Sequence, residues 1–262
     1  MSIRQTLDAA RKKGTSAFIP FIMAGDPDMA VCEEIIRALE KAGADVLELG
    51  VHFSDPVADG LTVQHAAERS LAKGTTLKSV LELVKRLRAS SVKMPICLFS
   101  YLNPVYKMGY QNFVNNAKAA GADGALLVDL PPEEAGDYCK AAKAQNFETV
   151  FLCSPTTSPE RLKLVDACST GFVYYVAREG VTGAQAALPQ HLQDTLTKLR
   201  ASLSNPLAVG FGISTPEHVR QLTGKADGIV VGSALVKIVE QNPATAAQAV
   251  AEKVKQLIGA RA

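Results

Sequence analysis

Residues 44–64 read ADVLELGVHFSDPVADGLTVQ, a stretch that sets a strand, a turn-rich loop and two carboxylates in a fixed order. Val46, Leu47 and Leu49 form a short apolar run that predicts a buried strand, and Glu48 lies inside it. Burying a carboxylate without a partner is expensive, so Glu48 is a candidate functional acid. The plain alternative is an outward-facing residue paired with a helix lysine. The loop that follows, from Phe53 to Gly60, is dense in Ser, Asp, Pro and Gly, which suits a shaped surface loop. Asp59 precedes Gly60 there, a pairing that a turn alone would also explain. A strand that ends by presenting acids to a loop is how α/β-barrel enzymes build active sites.

Outward from this unit the pattern repeats. Short apolar runs occur at 17–23, 45–50, 96–101, 124–129, 149–154, 171–177, 207–213 and 228–231. Helix-period segments lie between them, among them 30–42, 77–89, 111–120 and 216–222. Asp28, Thr76 and Thr215 stand where helices should start, and Gly43, Gly121 and Gly224 where they should stop. Ala-Gly-Ala-Asp recurs at 42–45 and 120–123, marking helix-to-strand returns of one kind. Eight such units of about thirty residues predict a (β/α)8 TIM barrel with an extra N-terminal helix, a single domain over 1–262. A doubly wound sheet is the runner-up. It would want a nucleotide fingerprint after the first strand, where Gly25-Asp26-Pro27 stands instead.

Composition narrows the function classes. The chain is 47% hydrophobic and 21% charged with a net charge of +2, and it carries no dense Lys/Arg block, so nucleic-acid binding is not expected. Cys32, Cys97, Cys139, Cys153 and Cys168 show no CxxC spacing and mostly lie in apolar runs, as reduced core cysteines do. The four histidines form no HxH or HxxxH pair, and no metal site is expected. Met1 to Lys13 lacks the apolar core of a signal peptide, and no run is long enough to span a membrane. The expected location is cytoplasmic.

The last two strands end in Gly210-Phe211-Gly212-Ile213-Ser214 and Gly232-Ser233-Ala234. Backbone amides approach an anion closely where no Cβ intervenes, and a helix starting at Ser233 would add its N-terminal amides. These loops therefore predict a phosphate site at the place where barrel enzymes commonly hold one. The segment Arg178-Glu179-Gly180-Val181-Thr182-Gly183, polar and rich in glycine, is expected to form a lid over it.

The segment LELGVHFSDPVADG, with Pro20-Phe21-Ile22, Ala24-Gly25-Asp26-Pro27, Tyr174-Tyr175-Val176, Gly180-Val181-Thr182-Gly183 and the two glycine loops in order, resembles the tryptophan synthase α-subunit family. The similarity extends over essentially the whole chain. It implies retro-aldol cleavage of indole-3-glycerol phosphate to indole and glyceraldehyde 3-phosphate. It further implies Glu48 and Asp59 as catalytic acids, with Tyr174 in a supporting role. Gly183, Gly212, Gly232 and Ser233 are then expected at the phosphate, and Phe21, Leu98 and Phe211 around the indole. No cofactor is implied in this chain. Pyridoxal phosphate would belong to a β-subunit partner in an α2β2 assembly. A stand-alone indole-releasing lyase and a weakly catalytic partner subunit are the alternatives. Two positions depart from the family pattern: His52 and Leu61 stand where proline is usual. A more freely moving Asp59 loop is the expected result, by about 0.4–1 kcal/mol per site.

Overall fold

Eight parallel strands close a barrel in the order of the chain, in a computed structural model that describes residues 1–176, 188, 192–210 and 212–261. They are β1 (Ala17–Met23), β2 (Leu47–Gly50), β3 (Ile96–Ser100), β4 (Gly124–Leu127), β5 (Glu148–Cys153), β6 (Phe172–Val176), β7 (Leu207–Gly210) and β8 (Gly228–Val231). The seam pairs Ala17 with Gly228. All eight apolar runs are strands: those at 17–23 and 228–231 keep their bounds, β5 begins one residue early at Glu148, and the others are shorter. Asp45 and Asp129 fall outside the ladders, and their carboxylates accept backbone hydrogens, from Phe18 N at 2.8 Å and Leu102 N at 2.6 Å.

The expected helices form as Met29–Lys41, Leu77–Ala89, Tyr110–Ala120 and Pro216–Leu222. Asp28 caps the first through Ala30 N and Val31 N, Thr76 the second through Ser79 N, and Thr215 the last through His218 N. The Leu61–Ala72 helix was not legible, since only Ala66, Ala67 and Ser70 of it are buried.

Alternation along each strand sorts side chains into two cores. Phe18, Ile22, Leu47, Leu49, Ile96 and Leu98 point outward into the helical layer. Ala17, Ile19, Val46, Cys97, Leu126, Val150, Phe172, Ala208 and Val230 fill the lumen. The extra helix, Ile3–Lys12, plugs the bottom of that lumen with Ile3 and Leu7, both fully buried. Glu148, at the start of β5, accepts hydrogen bonds from Ile3 N, Arg4 N and the Ser2 hydroxyl and so fixes the plug.

The N-terminal rim is stitched by one device used four times. Asp45, Asp123, Thr170 and Asp227 each precede an even-numbered strand. Each takes the backbone N–H of Phe18, Ile96, Thr149 or Leu207, on the strand before, with its side chain. Each also donates its own N–H to that same residue's carbonyl. The three carboxylates are neutralised by Arg261, Arg88 and Arg200. This is the physical meaning of the recurring Ala-Gly-Ala-Asp. Its glycines, Gly43 and Gly121, adopt φ of +93° and +99° to end their helices.

Because the plug supplies the floor of the lumen, Leu7→Ala should destabilise the chain by about 2–5 kcal/mol, as for other large-to-small core changes. Urea unfolding measures it; a change within about 0.5 kcal/mol would mean that the helix does not close the barrel.

Candidate active site

At the opposite end of the barrel Glu48 projects into the lumen, on the same side of β2 as Val46. It is 1% exposed, and neither carboxylate oxygen has a hydrogen-bond partner among the described residues. Burial alone pushes its carboxyl up to about 8. At neutral pH the group is therefore mostly a neutral acid with a free proton to give. Its register partners are Phe21 on β1 and Cys97 on β3. Proximity to the Glu48 charge adds to the burial that raises the Cys97 thiol and the Tyr174 phenol, so all three groups share one low-dielectric space.

Asp59 stands on the loop after β2. Burial lifts its carboxyl to about 6, opposed by a hydrogen bond from the Tyr101 hydroxyl. The same hydroxyl oxygen accepts Ala58 N at 2.9 Å, and the Gln64 side chain donates to the Asp59 carbonyl at 2.8 Å. The loop is thus pinned from the end of β3 and from the Leu61–Ala72 helix. Tyr174 lies on β6 with its hydroxyl over β7, where a Cβ on Gly210 would collide with it. Only glycine leaves room for that ring.

Phe21 lines the mouth of the lumen and packs edge-on against Phe99, with ring centroids 5.2 Å apart. Leu98 does not join it. That side chain is fully buried in the outer core, among residues such as Leu49 and Ile22. Leu98, expected at the indole, therefore faces away from the lumen, and its neighbour Phe99 has the lumen parity of Cys97 and Glu48. Tyr101, bonded to the Asp59 loop, and Phe99, on the lumen side of β3, are residues that sequence reasoning did not single out. Parity from Glu48 would have found Phe99, had the register between β2 and β3 been known.

Gly212 and Gly232 follow β7 and β8, which are paired in register, so both loops rise from neighbouring strands at this end. Gly212 has φ +47° and open space where a Cβ would stand. Gly232 precedes the Ser233–Gln241 helix, and its carbonyl accepts Leu235 N and Val236 N. That leaves the first amides of the helix, beginning with the exposed Ser233, facing away from any helical acceptor. Gly183 and Phe211, and with them the 178–183 segment, lie outside the described residues. His52 and Leu61 occupy different settings. His52 is buried, whereas Leu61 opens the Leu61–Ala72 helix with 67% of its surface exposed.

A family model for the tryptophan synthase alpha chain matches residues 7–261. The chain belongs to the tryptophan synthase alpha chain family. The alpha chain of Geobacter sp. (strain M21) is 47% identical over 231 residues, 88% of this chain and 86% of that one. The alpha chain of Solibacter usitatus is 43% identical and covers 99% of both. Among solved structures, the alpha subunit from Legionella pneumophila superposes with a TM-score of 0.91 at 37% identity, covering 99% and 98%. A chain of the α2β2 complex of Pyrococcus furiosus tryptophan synthase gives 0.87 at 42% identity, over 94% and 98%. Among the described residues no helix is long and apolar enough to cross a membrane.

Within this alpha chain Glu48 makes stability depend on pH. Its folded value is about 8 against an ordinary 4.5, so between those pH values the folded state holds a proton that the unfolded chain has released. Stability should therefore fall as pH rises across that window. Glu48→Gln should remove this slope and exceed the parent in stability at the upper end, by up to a few kcal/mol at about 1.4 kcal/mol per pKa unit. Urea midpoints measured across the window would reveal it, and identical slopes in parent and variant would contradict an unpaired buried Glu48.

Proposed function

We propose that this chain cleaves indole-3-glycerol phosphate into indole and glyceraldehyde 3-phosphate, with Glu48 as the proton-transfer group. The observation that carries this reading is a buried, largely protonated carboxyl, unpartnered among the described residues, in the lumen of an alpha-chain barrel. The bond to be broken joins indole C3 to a glycerol carbon. Glu48 delivers its proton to C3, giving an indolenine whose cationic nitrogen draws electrons from that bond. As the bond breaks, the adjacent glycerol hydroxyl becomes the aldehyde and its proton returns to the Glu48 carboxylate. No net proton is consumed, and the step asks for no cofactor. General acid–base catalysis of this kind contributes about 10²–10⁴ in rate.

Asp59 titrates near 6 and is mostly ionised at neutral pH, so it suits the indole N–H and the positive charge that grows there. Tyr174 packs beside the reacting centre in a supporting role. Phe21 and Phe99 supply an edge-on aromatic wall for the indole plane, as an apolar ligand needs. Gly212, Gly232 and the amide of Ser233 take the phosphate, helped by the dipole of the Ser233–Gln241 helix.

The partner in this reading is a β subunit in an α2β2 assembly, which holds pyridoxal phosphate and consumes the indole. Val57 and Leu61, 76% and 67% exposed, stand on either side of Asp59 in the chain. Apolar residues so open beside a catalytic acid fit a face that a partner covers, and they favour the coupled enzyme over a stand-alone lyase.

Indole release from indole-3-glycerol phosphate tests the reading, for parent and Glu48→Gln, alone and with a β subunit. The expected result is a loss of about 10²–10⁴ in the variant and a rise in the parent when the partner is added. Release that ignores the partner would indicate the stand-alone lyase. A folded parent that releases no indole would overturn the reaction.

A further inference from the structure

His52 is buried to 7% exposure two residues beyond β2, at the point where the Asp59 loop leaves the barrel. Its Nδ1 lies 3.4 Å from the Ser70 hydroxyl, itself fully buried near the end of the Leu61–Ala72 helix. The Ser70 hydroxyl donates to the Ala24 carbonyl at 2.6 Å, so its proton is already committed. Towards the ring its oxygen can only accept, which puts the imidazole proton on Nδ1. The Thr75 backbone also faces the ring and favours its protonated form. Burial acts more strongly in the other direction and pulls the imidazole below its ordinary value.

The pocket around this ring is tightly built. Gly25, with φ +77°, lies where any Cβ would strike the Thr75 and Ser70 hydroxyls. Thr75 N donates to the Ser70 carbonyl at 3.3 Å. The nearby charges pair among themselves, with Arg69 donating to Asp26 at 2.8 and 3.0 Å and to Glu240 at 2.8 Å. His52 therefore joins the start of the 53–60 loop to the far end of the helix that the loop leads into, and to the turn after β1. The loop between these anchors carries Asp59.

We propose that His52 is a positioning residue for Asp59: its imidazole, bound to Ser70 beside the Thr75 backbone, holds the 53–60 loop so that the Asp59 carboxylate stays on the Tyr101 hydroxyl. His52 touches no reacting atom in this role and acts through the loop. The inference rests on the reaction proposed above.

The test is steady-state indole release by the full chain and its His52→Ala, His52→Asn and Ser70→Ala variants across pH. His52→Ala should lower kcat about tenfold with KM within about twofold, because small displacements of a catalytic group are costly. Its acid limb should move down from near 6 as Asp59 regains water. His52→Asn, whose amide donates from the place of Nδ1–H, should recover most of kcat and restore the acid limb. Ser70→Ala should reproduce the His52→Ala effect and add little to it in the double variant. An unchanged kcat in His52→Ala with an active parent would overturn the inference. So would equal losses in the Ala and Asn variants with an unmoved acid limb, which describe lost packing alone. A parent that releases no indole overturns the reaction itself and the inference with it.

Discussion

A carboxyl buried in a barrel lumen, with no hydrogen-bond partner among the described residues, is the constraint on which the rest of this molecule turns. Glu48 stays protonated near neutrality because no described residue offsets its burial. That state requires a lumen closed from below, which the Ile3–Lys12 plug provides, and walls that bring no cation to the acid. The lumen residues below it are apolar from strand to strand. The same desolvation that makes Glu48 useful acts against folding, and it is tolerated because the surrounding core is large. Such an exchange of stability for chemistry is usual at catalytic sites.

Asp59 presents the opposite problem. It belongs to a loop, and a loop must be held before its carboxylate has a defined place. Three tethers do this: Tyr101 from the end of β3, Gln64 from the following helix, and His52 through Ser70. Two acids on one strand–loop unit are thus tuned by different means, one by depth and the other by attachment. Their carboxyls sit near 8 and near 6, which separates a proton donor from a charge stabiliser.

Much of this was legible in the residues. The eight apolar runs, the caps at Asp28, Thr76 and Thr215 and the stops at Gly43 and Gly121 are local signals, and local chemistry governs them. Glu48 announced itself as a charge in an apolar strand. Leu98 and Phe99 could not be told apart because β3 is apolar on both faces, so its alternation is silent and only its register with β2 decides. Tyr101 reads as the last residue of a run, and its hydroxyl acquires meaning only from Ala58 and Asp59, which are distant in sequence. His52 suggested a looser loop, yet its side chain supplies a tether that the residue type alone does not disclose.

The four stitches on the N-terminal rim carry a consequence for how the chain assembles. Each links residues 20 to 27 positions apart, so the entropy lost in forming it is modest and grows only slowly with loop length. Each pair of strands has its own clasp and can gather without waiting for the others. The seam between Ala17 and Gly228 has no such advantage, since it must bring the two ends of the fold together. Contact order therefore favours two-strand modules that form early and a barrel that closes last. Pulse-labelled hydrogen exchange would show this as protection of the Ile96 and Leu207 amides ahead of the β1–β8 ladder. Simultaneous protection would mean that closure and stitching are one event.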